Sequence, residues 1–381
     1  MSLVRIADTI WFRQIFAPPL ALLSLVFELV VRLRATLYKW GIIPSDSCGA
    51  FVVSLGNLQA GGTGKTPIAE FLASRWRTRT RLGIVSRGYG RTTRGSHRVP
   101  TPGVGSRAER AEAVAKSAAL YGDEPTLLSE RLGTDIPIQV GERRLTAARD
   151  LIVSEGVPLI LLDDGFQHME LRRSFDYVLI DLSAPAWHFR LLPWGRLREP
   201  LAALDRADAV LLTKTEGLSE EKIKSFERQI RRIVDVPVIR FQQVLSWEGA
   251  ELQPGDKVIA VAGLARPEVF FGLVRAHSSK PELLGTIAFK DHHVFESGDV
   301  DRILELARSV QARKVLVTEK DAVKLAALWP KTSTEGGTAN ALPTADLVVS
   351  RLEVRPAREF DKEQLELVDE IILGSLPKPK R

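Results

Sequence analysis

Cysteine is nearly missing from this chain. Cys48 stands alone among 381 residues, which excludes an internal disulfide and any cysteine-rich zinc site. The six histidines leave little room for a multi-histidine metal centre, so a metal held here is expected to be hard and oxygen-ligated, as Mg2+ is. There is no internal repeat, no RNA- or DNA-binding signature and no long Lys/Arg run with interleaved aromatics, so nucleic acid is the least favoured partner. The net charge of +6 still suits anions such as nucleotide phosphates and phospholipid headgroups. With 45% hydrophobic and 26% charged residues the composition is that of a globular protein, and the length calls for two domains or one large one.

A full membrane span is also lacking. Residues 15–31, IFAPPLALLSLVFELVV, are strongly apolar, but 17 helical residues reach only about 25 Å of a roughly 30 Å hydrocarbon core. Glu28 interrupts the stretch, and Pro18-Pro19 would break a helix begun earlier. No small-residue cleavage site follows, so a removed signal peptide is not expected. Arg5 and Arg13 precede the stretch and Arg32, Arg34 and Lys39 follow it, with Trp11, Tyr38 and Trp40 at the flanks. This pattern predicts a helix lying in the membrane interface.

From residue 50 onward, short apolar runs alternate with helical patterns. Strands are expected at 51–55, 82–86, 157–162, 177–182, 209–213 and 237–241. Their near-continuous apolar character suits a parallel sheet buried on both faces. Helices are expected at 67–77, 108–120, 142–154 and 219–234. Residues 243–255 read as a link to a smaller lobe, with strands at 258–262, 283–289, 314–318 and 346–350 and helices at 268–277 and 300–312. The alternation predicts an α/β fold: a mostly parallel sheet flanked by helices. Three segments result: a membrane-associated segment at 1–45, a core domain at 46–245 and a smaller C-terminal α/β lobe at 256–376. Residues 332–344 read as a loop and 376–381 as a frayed tail.

The strongest local signal is Gly61-Gly62-Thr63-Gly64-Lys65-Thr66 between a strand and a helix, the context a phosphate-binding loop requires. Glycines let backbone N–H groups turn toward phosphate oxygens, and the helix start points its positive end at the same anion. Pro67 is tolerated in the first turn, where N–H groups have no intrahelical partner. Ala60, Gly61, Gly62, Thr63, Gly64, Lys65, Thr66 and Pro67 are therefore the expected nucleotide-binding residues, with Lys65 reaching the β- and γ-phosphates of ATP and the Thr66 hydroxyl facing Mg2+. One departure stands out: Gln59 occupies the position six residues before the lysine, where glycine is usual, and the nearest upstream glycine is Gly56.

A loop of this kind needs a carboxylate at a neighbouring strand end. The run 157–162 leads into Asp163-Asp164-Gly165-Phe166-Gln167-His168. Adjacent strand residues point opposite ways, so one of the two carboxylates is expected to face the metal, Asp164 being favoured with Asp163 behind it. Arg87 follows the strand at 82–86, at the carboxyl end where ligands bind open α/β sheets, and can neutralise charge on a transferring or substrate phosphate. Glu199 and Gln167 are candidate outer members of the metal site. Arg172, Arg173, Arg196 and Arg198 are candidates for a basic mouth. Thr213-Lys214-Thr215-Glu216 faintly resembles the base-reading loop of P-loop GTPases, but its acid is misplaced, and the segment reads as a strand-end turn.

Several motifs coincide in order. Ser54-Leu55-Gly56-Asn57 leads into the glycine loop; Ser86-Arg87-Gly88-Tyr89-Gly90, Gly122-Asp123-Glu124-Pro125, Asp163-Asp164-Gly165-Phe166-Gln167, Leu197-Arg198-Glu199-Pro200, Asp291-His292-His293 and Thr318-Glu319-Lys320-Asp321 follow. Together they resemble the tetraacyldisaccharide 4′-kinases of lipid A biosynthesis, over nearly the whole chain. The resemblance implies a P-loop enzyme on the cytoplasmic face of a Gram-negative inner membrane. It would transfer the γ-phosphate of ATP to the 4′-hydroxyl of a tetraacyldisaccharide 1-phosphate, giving lipid IVA, with Mg2+ and without an obligate protein partner. It also implies a catalytic Asp–His pair, which falls on Asp123 and His292 here, with His293 as the other candidate. Lys65 and Arg87 complete the expected catalytic set; Thr66, Asp163, Asp164 and Glu199 complete the expected metal set. The competing reading is a P-loop ATPase or GTPase of the partitioning or metal-insertion kind, which would turn over nucleotide without a lipid acceptor.

Overall fold

The computed structural model describes residues 17–101, 107–248, 252–264, 267–290, 293–325, 328–330 and 345–376. The chain forms two compact units, residues 1–242 with 355–381, and residues 243–354. The division departs from the sequence reading at both ends. Residues 243–248 are not a linker but continue strand β8 (Val238–Glu248), and the chain returns to the first unit along β12 (Asp346–Pro356). The final helix (Glu359–Gly374) therefore belongs to the first unit rather than to a C-terminal lobe.

In the first unit the strands are β1 (Phe51–Asn57), β2 (Leu82–Ser86), β3 (His97–Arg98), β4 (Ile138–Val140), β5 (Leu159–Asp163), β6 (Phe175–Asp181), β7 (Ala209–Thr213) and β8. Their order is β8-β7-β6-β1-β5-β2-β4-β3. All pairings are parallel except the short β3–β4 edge. β5 and β7 are buried along their whole length, as the continuous apolar runs required. The second unit carries the parallel order β10-β9-β11-β12, with β9 at Lys257–Ala262, β10 at Glu282–Ala288 and β11 at Lys314–Thr318.

Three helices escaped the periodicity argument: Asp123–Leu132, Glu319–Leu325 and Glu359–Gly374. The first begins at Asp123, with Pro125 in its first turn, where a proline starts a helix rather than ending one. The last is tied down by buried charge. Asp369 accepts from Trp76 Nε1 at 2.8 Å and from Arg75 Nε, and Asp361 accepts the Arg240 amide at 3.0 Å.

The N-terminal helix α1 (Ala17–Lys39) starts at the Pro18-Pro19 pair, within the first turn. Ser24 is its buried residue, its hydroxyl donating to the Leu191 carbonyl at 3.1 Å and accepting the Trp194 amide at 3.1 Å. The outward side is the greasy one: Leu22, Leu23, Leu25, Val26, Leu29, Val30 and Leu33 are between 55% and 68% exposed. No helix among the described residues is long and apolar enough to cross a membrane.

Candidate active site

The glycine loop leaves β1 and turns into helix α2 (Lys65–Trp76) through Gly64, whose backbone is left-handed at φ 89° and caps the helix without a side chain. A helix start uncapped in this way presents its first N–H groups to an anion. The outside of the loop is held by its carbonyls. Thr213 Oγ1 donates to the Thr63 carbonyl at 2.8 Å, and Lys214 Nζ donates to the Gly62 carbonyl at 2.6 Å while pairing with Asp181 at 2.7 Å. Inside, the buried Asn57 amide donates to Thr63 Oγ1 at 2.8 Å and to the Gln59 carbonyl at 2.6 Å. The Thr213–Lys214 turn thus braces the phosphate loop, a role its weak sequence pattern did not disclose.

The missing glycine is also explained. Gln59 is buried and acts through its side chain: Oε1 accepts the Asp181 amide at 2.8 Å and Nε2 donates to the Asp181 carbonyl at 3.3 Å, pinning the loop to the end of β6. Gly56 has its own reason. A Cβ there would lie 2.7 Å from the Phe166 nitrogen, so the Asp-Asp-Gly-Phe turn can approach β1 only over a glycine.

The two acids divide their work at the end of β5, beside β1. Asp163 is the last strand residue; Asp164 is already left-handed at φ 52°. Asp164 meets Lys65 Nζ at 3.4 Å and accepts from Arg198 NH1 with both oxygens at 3.0 Å. Burial opposes its ionisation, yet Lys65 and Arg198 hold its carboxyl below the usual range. Asp163 is buried, with Ser86 Oγ donating to Oδ2 at 3.0 Å and Oδ1 without a partner. Burial, reinforced by the Glu124 charge and opposed by Lys65, pushes its carboxyl up to about 6. An orphaned, buried carboxylate oxygen next to a lysine and a phosphate loop is what a hard cation would satisfy. Among the described residues, no group of three or more His, Cys, Asp or Glu side chains gathers to hold an ion on protein ligands alone. That suits Mg2+, which takes one or two carboxylates and the rest from phosphate and water. The residues present therefore fit the ion, with Asp163 rather than the favoured Asp164 carrying the free oxygen.

Beside the acids lies a cavity of about 240 Å³ lined by Arg34, Arg87, Arg144, Asp164, Gln167, His168 and Arg198. Four guanidinium groups face one carboxylate, which Lys65 and Arg198 already engage. Arg144 opens its helix (Arg144–Glu155) and is only 8% exposed, yet its Nε has no partner. Burial and the Arg87 charge lower its affinity for a proton. His168 is likewise pushed down to about 4, by burial first and then by Arg144. It is therefore neutral at pH 7. Burial and a neighbouring arginine disfavour the charged form of both Arg144 and His168, the electrostatics of a pocket suited to an anion.

Asp123 is exposed and opens its helix behind Gly122. A Cβ on Gly122 would stand 3.0 Å from the Tyr89 carbonyl and 3.1 Å from the Gly88 Cα, so the Gly-Asp-Glu-Pro and Arg-Gly-Tyr-Gly segments are neighbours. Glu124 acts on Asp163 through space, which sets this turn by the phosphate loop. Arg87 lines the 240 Å³ cavity and a second one of about 400 Å³ formed by its own loop.

Glu199 is buried and its Oε2 accepts from Arg206, whose guanidinium lies 4.4 Å from the Phe166 ring centroid. Its Oε1 has no partner, the same feature that Asp163 shows, so one oxygen of this carboxylate stays open to a cation. Gln167 Nε2 donates to the Asn57 carbonyl at 3.0 Å, a bracing contact. The four arginines proposed as one mouth are dispersed: Arg172 donates to the Ser45 carbonyl at 3.3 Å, Arg173 chelates Asp176 at 2.8 Å, and Arg196 lies over Trp187. Only Arg198 reaches the cavity. Arg34 and Arg144 take the other places, and nothing in their local sequence marked them. His292 lies outside the described residues. His293 is committed, its Nε2 sharing a hydrogen bond with Asp299 at 2.8 Å and its ring stacked on Phe289 at 4.7 Å.

Comparison with known proteins follows the same lines. Residues 16–366 match the family model of tetraacyldisaccharide-1-P 4'-kinase. A tetraacyldisaccharide 4'-kinase of Anaeromyxobacter dehalogenans is 37% identical over 335 residues, covering 84% of this chain and 85% of the relative. One of Halothermothrix orenii is 33% identical over 324 residues, covering 80% and 82%. Among solved structures, LpxK from Aquifex aeolicus in complex with ATP is similar with a TM-score of 0.64 at 25% identity, over 95% of this chain and 99% of that one.

Proposed function

This chain belongs to the tetraacyldisaccharide-1-P 4'-kinase family, and from that premise we propose how its own residues carry the reaction. It is an enzyme that moves the γ-phosphate of ATP to the 4′-hydroxyl of a tetraacyldisaccharide 1-phosphate, in lipid A biosynthesis. The alternative, a nucleotide-driven ATPase or GTPase with no lipid acceptor, is not favoured by the family match.

The observation that carries the assignment of roles is the meeting of Lys65 with Asp164 at 3.4 Å on the rim of an arginine-lined cavity. The loop N–H groups and the start of helix α2 bind the nucleotide phosphates. Asp164 holds the Lys65 ammonium where it meets the β- and γ-phosphates, itself steadied by Arg198. Thr66 and Asp163 are the side chains that would hold Mg2+; when bound, the ion neutralises charge on the nucleotide phosphates. Arg87, which lines both cavities, offsets the charge that grows on the transferring phosphoryl group.

A sugar hydroxyl is a poor nucleophile, and its proton needs an acceptor. Asp123 is that acceptor: a carboxylate exposed on the rim beside Asp163's neighbour Glu124. His292 is its orienting partner, a role that rests on the motif. The outward apolar face of α1 docks on the membrane at the cytoplasmic face of the inner membrane, with Trp40, 71% exposed, and the basic residues at headgroup depth.

The test is transfer from radiolabelled ATP to the disaccharide 1-phosphate in detergent micelles. Asp123→Ala should lower kcat by roughly 10²–10⁴, and Asp123→Ala with His292→Ala should cost no more than the worse single change. Losses that simply multiply would break the pair apart; nucleotide consumption that never labels the sugar would refute the kinase itself.

A further inference from the structure

One member of the anion cavity comes from an unexpected place. Arg34 is carried by α1, the helix whose outer side is apolar. Its guanidinium NH2 donates to the Gln167 carbonyl at 3.1 Å and lies 5.6 Å over the Tyr38 ring. No other residue of α1 lines the cavity. The helix is fixed about 15 Å back along its axis by Ser24, so Arg34 is presented by a docked helix and not by a free arm. From Arg34 a chain of contacts leads inward: Gln167 Nε2 donates to the Asn57 carbonyl at 3.0 Å, and the Asn57 amide donates to Thr63 of the phosphate loop at 2.8 Å.

We propose that Arg34 is a binding and specificity residue for the 1-phosphate of the lipid acceptor, so that the helix meeting the membrane also completes the anion pocket. The proposal rests on the kinase reading above. Three observations support it. The cavity is a built anion site, since four guanidinium groups line it against one carboxylate and one of them, on the 8%-exposed Arg144, has a buried Nε without a partner. Arg198 and Lys65 already share that carboxylate, which leaves Arg34 with a carbonyl and a ring but no carboxylate partner among the described residues. Of the two phosphorylated reactants, only the acceptor is delivered by the lipid phase, and Arg34 is on the element whose other face is lipid-like. A guanidinium binds a phosphate through two parallel N–H donors, which a carbonyl cannot fully use. The Gln167 carbonyl is thus a resting partner that a phosphate would replace.

The experiment compares the full-length wild type, Arg34→Met and Arg34→Lys in mixed micelles on two acceptors, the tetraacyldisaccharide with and without its 1-phosphate. Arg34→Met should raise KM for the phosphorylated acceptor roughly ten- to a hundredfold, leave KM for ATP within about twofold, and discriminate little between the two acceptors. The wild type should lose a comparable factor when the 1-phosphate is removed, and Arg34→Lys should recover part of it. Equal proportional losses on both acceptors, or a loss carried by KM for ATP, would overturn the assignment. If the wild type labelled neither acceptor, the kinase reading would fall and this proposal with it. That outcome is separate from a failure at Arg34, in which the wild type works normally and the variant shows no selective loss.

Discussion

Two helices of the first unit turn their apolar residues in opposite directions, one inward and one outward. Helix α2 buries Ile68, Ala69, Leu72, Ala73 and Trp76 completely and functions through its end, where the glycine loop and Lys65 meet phosphate. Helix α1 keeps one serine buried and turns seven large apolar residues outward; it functions through its flank. Apolar side chains therefore have two destinations. What separates them is that α2 packs against β1, β5 and the helix at Asp123–Leu132, while α1 is attached through a polar residue and leaves its apolar side exposed.

Four changes would break or sharpen that contrast. Lys65→Ala removes the end of α2 alone. Phosphoryl transfer should fall by at least about 10³, or roughly 4 kcal/mol, with membrane association and melting temperature unchanged; a variant that keeps half its turnover would exclude the phosphate role. Leu25→Asp with Leu29→Asp spoils the flank of α1. Each buried leucine is worth about 1.5–3 kcal/mol of apolar transfer, so sedimentation with anionic vesicles should drop by about a hundredfold or more in partition coefficient. Undiminished sedimentation would show that the outward face does not meet lipid.

The third test moves one side chain type between the two helices. Leu72→Ala leaves a cavity in a close-packed core and should cost about 2–5 kcal/mol of unfolding free energy in detergent-free buffer, whereas Leu29→Ala should cost under about 0.5 kcal/mol. Comparable costs would mean that α1 is packed after all. The smallest effect concerns the cavity between the two helices' working ends. Arg144, Arg173 and Arg34 surround His168, with Glu170 as the opposing charge, and its folded pKa of about 4 lies below the usual 6.5. The unfolded chain therefore binds the proton more tightly. Stability should be intact above pH 6.5 and decline as pH falls from there toward 4, by on the order of 1–2 kcal/mol after discounting for its partial exposure. His168→Gln should flatten that slope in acid-unfolding curves, and a phosphate placed in the cavity should raise the His168 pKa seen by NMR.

The fold was largely legible. Runs such as those of β5 and β7 are apolar throughout because both sheet faces are covered, and that covering leaves its mark in the residues themselves. The unit boundary was not, because β8 and β12 carry the chain across it without any break in strand character at Gln242 or Val354. The helix at Asp123–Leu132 was hidden because its start coincides with a proline, a signal that opens and closes helices alike. The pairing of Glu199 with Arg206 was not legible, because nothing in that turn announces the arginine that folds onto it.

Local chemistry made the phosphate loop, the strand-end acids and the apolar N-terminal helix legible in the sequence by itself, since each is complete within one short run of consecutive residues. The anion cavity is different. Residues 34, 87, 144 and 198 are separated by about fifty positions each time. They meet only because β2 pairs with β5, β5 with β1, and α1 docks beside the turn that follows β5. No spacing rule links them, because strand order and helix docking are decided by side-chain packing across the whole unit, and that is a property of the tertiary structure alone.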